Sequence, residues 1–116
     1  MHEMAITVDI VDAAIKYAEQ NNATAVTDVH LRIGEIHDVV ADLMQGAFRF
    51  LARDTIAKDA VLHITKVELR ARCSECNLVF PANLWDKSTL KCPDCGQERL
   101  TVYSGKEFMI ERIEII

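Results

Sequence analysis

From the first residues, apolar side chains recur at helical spacing. Met4, Val8, Val11, Ile15 and Ala18 step by four, three, four and three, which predicts one apolar stripe on a helix over residues 3–20. Asn21-Asn22 supplies the turn chemistry that ends it. The period then changes to two. Val29, Leu31 and Ile33 alternate with Asp28, His30 and Arg32, predicting a half-buried strand over 25–33 that stops at Gly34. A second helix is predicted over 39–53, with Asp38 as its N-cap and Val40, Leu43, Ala47, Phe50 and Leu51 facing inward. Leu62, Ile64, Val67 and Leu69 predict another strand, and a one-residue phase slip near Thr65-Lys66 suggests a bulge in it. Phe108, Ile110, Ile113 and Ile115 carry the same slip and predict the partner of that strand.

Residues 71–104, between those two strands, differ in character. They hold all four cysteines, both prolines and the single tryptophan. The order helix, strand, helix, strand, insert, strand predicts an α+β fold: a three-stranded sheet with two helices, plus an inserted zinc-ribbon module. The expected division is residues 1–70 with 105–116 as the α+β domain, and 71–104 as the ribbon.

Composition adds limits. The chain has 116 residues, half of them apolar, enough for one ordinary domain or a small domain carrying an insert. Its net charge of −5 gives no general attraction to a phosphate backbone, so no nucleic acid is expected as a partner. The opening MHEMAITVDIVDAA lacks the basic start and unbroken apolar stretch of a secretory signal. No apolar run is long enough to cross a bilayer, so no membrane association is expected. A cytoplasmic protein follows as the expectation, and there paired cysteines are metal ligands before they are disulfides.

Cys73-Ser-Glu-Cys76 and Cys92-Pro-Asp-Cys95 are separated by fifteen residues. Each CxxC turn presents two thiolates on one side of a tight loop, and two facing loops make the tetrahedron that zinc accepts. Gly96 stands where the backbone folding under a metal often needs positive φ. Four thiolates fill the shell, so the Zn2+ is structural and activates no water. Iron in the same sulfur tetrahedron and a redox dithiol are the chemical alternatives. Residues 70–100 carry five basic and four acidic side chains. The charge of about −2 on zinc with four thiolates leaves the segment slightly negative, which again argues against nucleic acid.

Met1-His2-Glu3 offers an amine, two amide nitrogens, an imidazole and a carboxylate on fused chelate rings. Such nitrogen-rich, flattened donor sets suit Ni(II) or Cu(II). A bare cation at a helix N-terminus opposes the macrodipole. Deprotonation of two amides removes that objection, because it cancels the 2+ charge. An incidental surface histidine is the plain alternative.

Together these residues resemble the HypA/HybF family of hydrogenase and urease nickel-incorporation proteins. The resemblance rests on MHE at the start, LRIGE at 31–35, RARC-x2-C at 70–76, CPDCG at 92–96 and SG at 104–105. It implies a nickel metallochaperone and not an enzyme, binding Ni2+ as cargo through Met1, His2 and Glu3 and structural zinc through Cys73, Cys76, Cys92 and Cys95. The partners it implies are a HypB-like GTPase and the large subunit of [NiFe]-hydrogenase, with urease accessory proteins as a second destination. The sequence departs from the family after Gly34-Glu35, where many relatives read GELSGV followed by Pro-Glu. Here the run is Ile36-His37-Asp38-Val39-Val40, which makes His37 and Asp38 candidate auxiliary nickel ligands, or else a solvated loop histidine beside a helix cap. The rival function is a zinc-ribbon module for protein or nucleic-acid interaction, in which MHE is incidental.

Overall fold

The computed structural model describes residues 3–116. Met1 and His2, two of the nickel candidates, therefore lie outside the described residues. Helix α1 spans Glu3–Gln20 and α2 Ala41–Ala52. The strands are β1 Val26–Gly34, β2 Val61–Val67, β3 Arg70–Cys73, β4 Val79–Pro81, β5 Leu100–Ser104 and β6 Phe108–Ile115. Short 3-10 turns occupy Glu35–His37 and Lys87–Thr89. Two three-stranded sheets form, ordered β2-β1-β6 and β4-β3-β5. The α+β class, with two helices, a three-stranded sheet and a separate small ribbon, is as the pattern predicted.

Internal contacts divide the chain into two compact units. One comprises Met1–Arg32, Val39–Thr65 and Phe108–Ile116; the other comprises Ile33–Asp38 and Lys66–Glu107. In the first, α1 packs on α2 and β6. Its buried residues include Ile10, Val11, Ala14 and Ala18 of α1, Val26, Val29 and Leu31 of β1, Met44 and Phe48 of α2, and Leu62 of β2. Strand β1 behaves as the alternation requires, with Val29 and Leu31 buried and Asp28, His30 and Arg32 on the opposite face. Helix α1 ends where Asn22 turns left-handed, at φ 54. The Ala23 N–H then reaches the Ala18 carbonyl at 2.9 Å and the Asn22 N–H reaches that of Glu19 at 3.1 Å, the paired bonds of a Schellman ending.

Four local expectations are corrected. In α1 the buried stripe is Glu3, Thr7, Ile10, Val11, Ala14 and Ala18, while Met4 and Val8 are exposed. In α2, Met44, Ala47, Phe48 and Ala52 are buried, whereas Val40, Leu43 and Phe50 are exposed. Apolar residues lie on most sides of this helix, so two stripes fit the helical period, and packing selected the one through Phe48. Asp38 does not cap α2. It closes the 3-10 turn in a left-handed conformation, with its N–H on the Glu35 carbonyl, and Val40 is the residue at the α2 N-cap.

The fourth correction concerns strand pairing. The slip near Thr65-Lys66 is no bulge within a strand: β2 ends at Val67 in one sheet and β3 begins at Arg70 in the other. Leu69 between them is buried. Strand β6 keeps its predicted slip, with Phe108, Ile110, Ile113 and Ile115 the less exposed positions. Its neighbour, however, is β1, which lies between β2 and β6.

Candidate metal centre

The two CxxC turns are built alike. In the first, Cys73 receives the Asn77 N–H on its carbonyl at 2.9 Å and gives its own N–H to Leu78 at 2.9 Å. In the second, Cys92 receives the Gly96 N–H at 2.9 Å and gives its N–H to Gln97 at 2.8 Å. Each turn passes through a left-handed residue just after its second cysteine, Asn77 at φ 63 and Gly96 at φ 75. The glycine was anticipated. The asparagine carries the weaker signal of the side chain that best tolerates this region after glycine.

Sheet β4-β3-β5 brings the turns together. Strand β3 pairs antiparallel with β4 and with β5, and Cys73 and Cys92 are buried with Ala71 and Phe80 in its small core. Cys76 and Cys95 are exposed. Cys73 and Cys95 stand 3.5 Å apart at sulfur, as do Cys76 and Cys92. All four sulfurs lie within 4.8 Å of one another. A disulfide would need about 2.05 Å. Four sulfurs at about 2.3 Å from one zinc stand about 3.8 Å from each other, which this arrangement matches.

The thiols' electrostatics point to the same occupant. The Leu78 N–H lowers the Cys76 thiol, but the neighbouring Cys92, lost hydration and the other two thiols prevail and push it up to about 12. Cys92 is pulled down to about 7, chiefly by the backbone N–H of Cys95 and against its burial. For Cys95, the Gln97 N–H lowers the thiol, yet burial and the Cys73 and Cys92 thiols leave it raised. Cys76 and Cys95 therefore keep their protons until a cation displaces them, as metal ligands do. A zinc ion held by these four thiolates would have a complete shell, and would organise the ribbon.

The nickel candidates fall in separate elements. Glu3, at the start of α1, is buried, and its Oε2 accepts the Val40 N–H at 2.8 Å. In a capping box the amide of the N-cap residue is bonded by a glutamate one turn inside the same helix; here the glutamate comes from α1. His37 and Asp38 lie in and after the 3-10 turn, and the His37 Nε2–H donates to the Lys106 carbonyl at 2.9 Å. A grouping that the sequence did not reveal lies on the other sheet, where Asp28, His30 and His63 place their donor atoms within 4.8 Å of one another.

Comparison with known proteins agrees with this construction. The profile of the family described as "Hydrogenase/urease nickel incorporation, metallochaperone, hypA" matches residues 1–115. The Hydrogenase maturation factor HypA of Dehalococcoides mccartyi strain CBDB1 is 36% identical over 115 residues, covering 99% of this chain and 94% of that protein. That of Pelodictyon phaeoclathratiforme is 34% identical over 115 residues, covering 99% and 96%. Among solved structures, the Ni metallochaperone HypA from Helicobacter pylori superposes with a TM-score of 0.66 at 24% identity, covering 100% of this chain and 98% of that one. A second HypA solution structure gives a TM-score of 0.72 at 25% identity, covering 100% and 97%. A four-thiolate centre on an α+β frame, matched along nearly its whole length, thus places this chain in the HypA family of hydrogenase and urease nickel-incorporation metallochaperones.

Proposed function

We propose that this protein carries Ni(II) on its N-terminus and delivers it for maturation of [NiFe]-hydrogenase, with urease as the alternative recipient. The observation that carries the reading is the family match from residue 1, which takes in the Met1-His2-Glu3 donor set. The amine of Met1, the amide and imidazole of His2 and the amide of Glu3 make the flattened nitrogen set that nickel favours. The zinc of Cys73, Cys76, Cys92 and Cys95 stays in place while nickel is exchanged, because a saturated thiolate shell offers no entry position. A HypB-like GTPase and the hydrogenase large subunit are the proposed donor and recipient partners. The exposed apolar side chains Met4, Leu43 and Phe50 form one face of the α1–α2 pair on which a partner can dock.

The test is calorimetric titration of nickel into protein beginning at a free Met1, into the same protein with its N-terminal amine acetylated, and into His2→Ala. Acetylation converts the amine to an ordinary amide, so nickel affinity should fall by orders of magnitude in both altered proteins while zinc content stays constant. Equal affinity in all three would remove the N-terminus from the nickel site.

A further inference from the structure

We propose that Asp28, His30 and His63 form a separate site for a borderline divalent metal ion of the Zn(II), Ni(II) and Cu(II) class, on the polar face of the β2-β1-β6 sheet. The proposal is independent of the N-terminal reading. Asp28 and His30 are two residues apart on β1 and so share a face; β2, which carries His63, is the neighbouring strand. Strand spacing alone therefore sets three metal-ligating side chains side by side.

The side chains meet. His63 Nε2 and Asp28 Oδ2 are 2.7 Å apart. The His30 and His63 rings stack with centroids 4.3 Å apart and planes within 8°, and the three donor atoms span no more than 4.8 Å. Ligands at about 2.1 Å from one ion stand at most about 4.2 Å apart, so small rotations complete the site. Parallel rings must also tilt until their lone pairs converge. Side-chain exposures of 22% for His30, 43% for His63 and 27% for Asp28 leave room for this and for the ion's entry.

Charge favours the ion as well. The Asp28 carboxylate, 2.7 Å from His63 Nε2, supplies negative charge at the site, and neutral imidazole is the form that ligates. Glu114 Oε2 lies 3.3 Å from His30 Nε2 and is a fourth oxygen within reach. Arg112 is the opposing group, with one guanidinium nitrogen 3.2 Å from His30 Nε2. At 62% exposure it can swing outward while keeping its pair with Glu114 at 3.4 Å. Two imidazoles and a carboxylate suit zinc, nickel and copper. Three protein ligands leave positions open to water, so this site exchanges its ion far faster than the four-thiolate centre.

The experiment uses the zinc-loaded full chain with its N-terminal amine acetylated and carrying His2→Ala. Ni(II) is titrated by calorimetry, and the histidine ring signals are followed by NMR. One further ion per chain should bind, broadening the His30 and His63 signals before that of His37. Asp28→Asn, which keeps the side chain's shape, should weaken this binding at least about tenfold, since losing even an outer-shell partner costs that much. His30→Ala with His63→Ala should abolish it, with zinc content unchanged and cooperative thermal unfolding retained. Absence of a further ion, broadening that starts at His37, or undiminished binding in the double variant would overturn the proposal. Because the N-terminal chelate is disabled throughout, failure of that reading leaves these outcomes untouched.

Discussion

Glu3 offers the clearest separation of a structural role from a metal-binding one. Its Oε2 accepts the Val40 N–H at 2.8 Å, and the residue is only 8% exposed. Glu3→Ala removes the acceptor and leaves the amide at the entry of α2 unpaired. Val40 itself is half exposed, so water recovers part of the loss, and a cost of about 1–2 kcal/mol is expected. For a chain of this length that is about 4–8 °C in Tm. Glu3→Gln keeps a carbonyl oxygen where the carboxylate was, and its cost should stay below about 1 kcal/mol. Both variants lose the favourable charge at the N-terminus of α1, so the difference between them isolates the bond to Val40. Both also keep the main-chain nitrogen of residue 3. If nickel takes that nitrogen and leaves the carboxylate in its bond to Val40, Glu3→Gln should bind nickel within about threefold of the parent, a difference of under 1 kcal/mol. Thermal unfolding and nickel calorimetry on the two variants decide the matter. Equal Tm values would refute the structural role, and a loss above tenfold in nickel affinity for Glu3→Gln would make the carboxylate a ligand.

Two further outcomes are expected. At pH 7, zinc uptake should release at least two protons per ion, because Cys76 sits at about 12 and Cys95 is raised. Apparent zinc affinity should then fall at least about 100-fold per pH unit on acidification. The fall should steepen below pH 7, where Cys92, at about 7, also holds its proton; chelator competition between pH 6 and pH 8 checks this, and a slope of one proton or fewer contradicts it. Gly105→Ala should destabilise the protein by about 2 kcal/mol or more, as read by urea unfolding. At φ +100, an added Cβ there would meet the Leu69 Cα at 2.4 Å, main chain that cannot step aside; a change within about 0.5 kcal/mol would show that this segment yields.

Much of the molecule was legible in the chain itself. The cysteine spacing dictated a four-sulfur centre, because two short turns leave the thiolates few other arrangements, and Gly96 marked one of the left-handed positions beneath it. The alternation from Asp28 to Ile33 specified the faces of β1, since a period of two admits only one division. The helices were another case. In α2, Leu43 and Phe50 compete with Met44 and Phe48 for the interior, and one helical period fits both. Only the neighbours of the helix choose between them. In α1 the buried stripe includes Glu3 and Thr7, which no apolar pattern selects, because Glu3 is held there by a bond to Val40 far along the chain.

Sequence alone determined local chemistry: the two helices, the strands at β1 and β6, and which cysteines cluster. Tertiary structure decided everything that depends on residues distant in the chain. It placed β1 between β2 and β6, turned Asp38 from helix cap to turn closure, and set His63 against Asp28 and His30. The reason is physical. A local period reports which way a side chain points, but not which strand lies beside it, and a site drawn from two strands exists only once those strands pair.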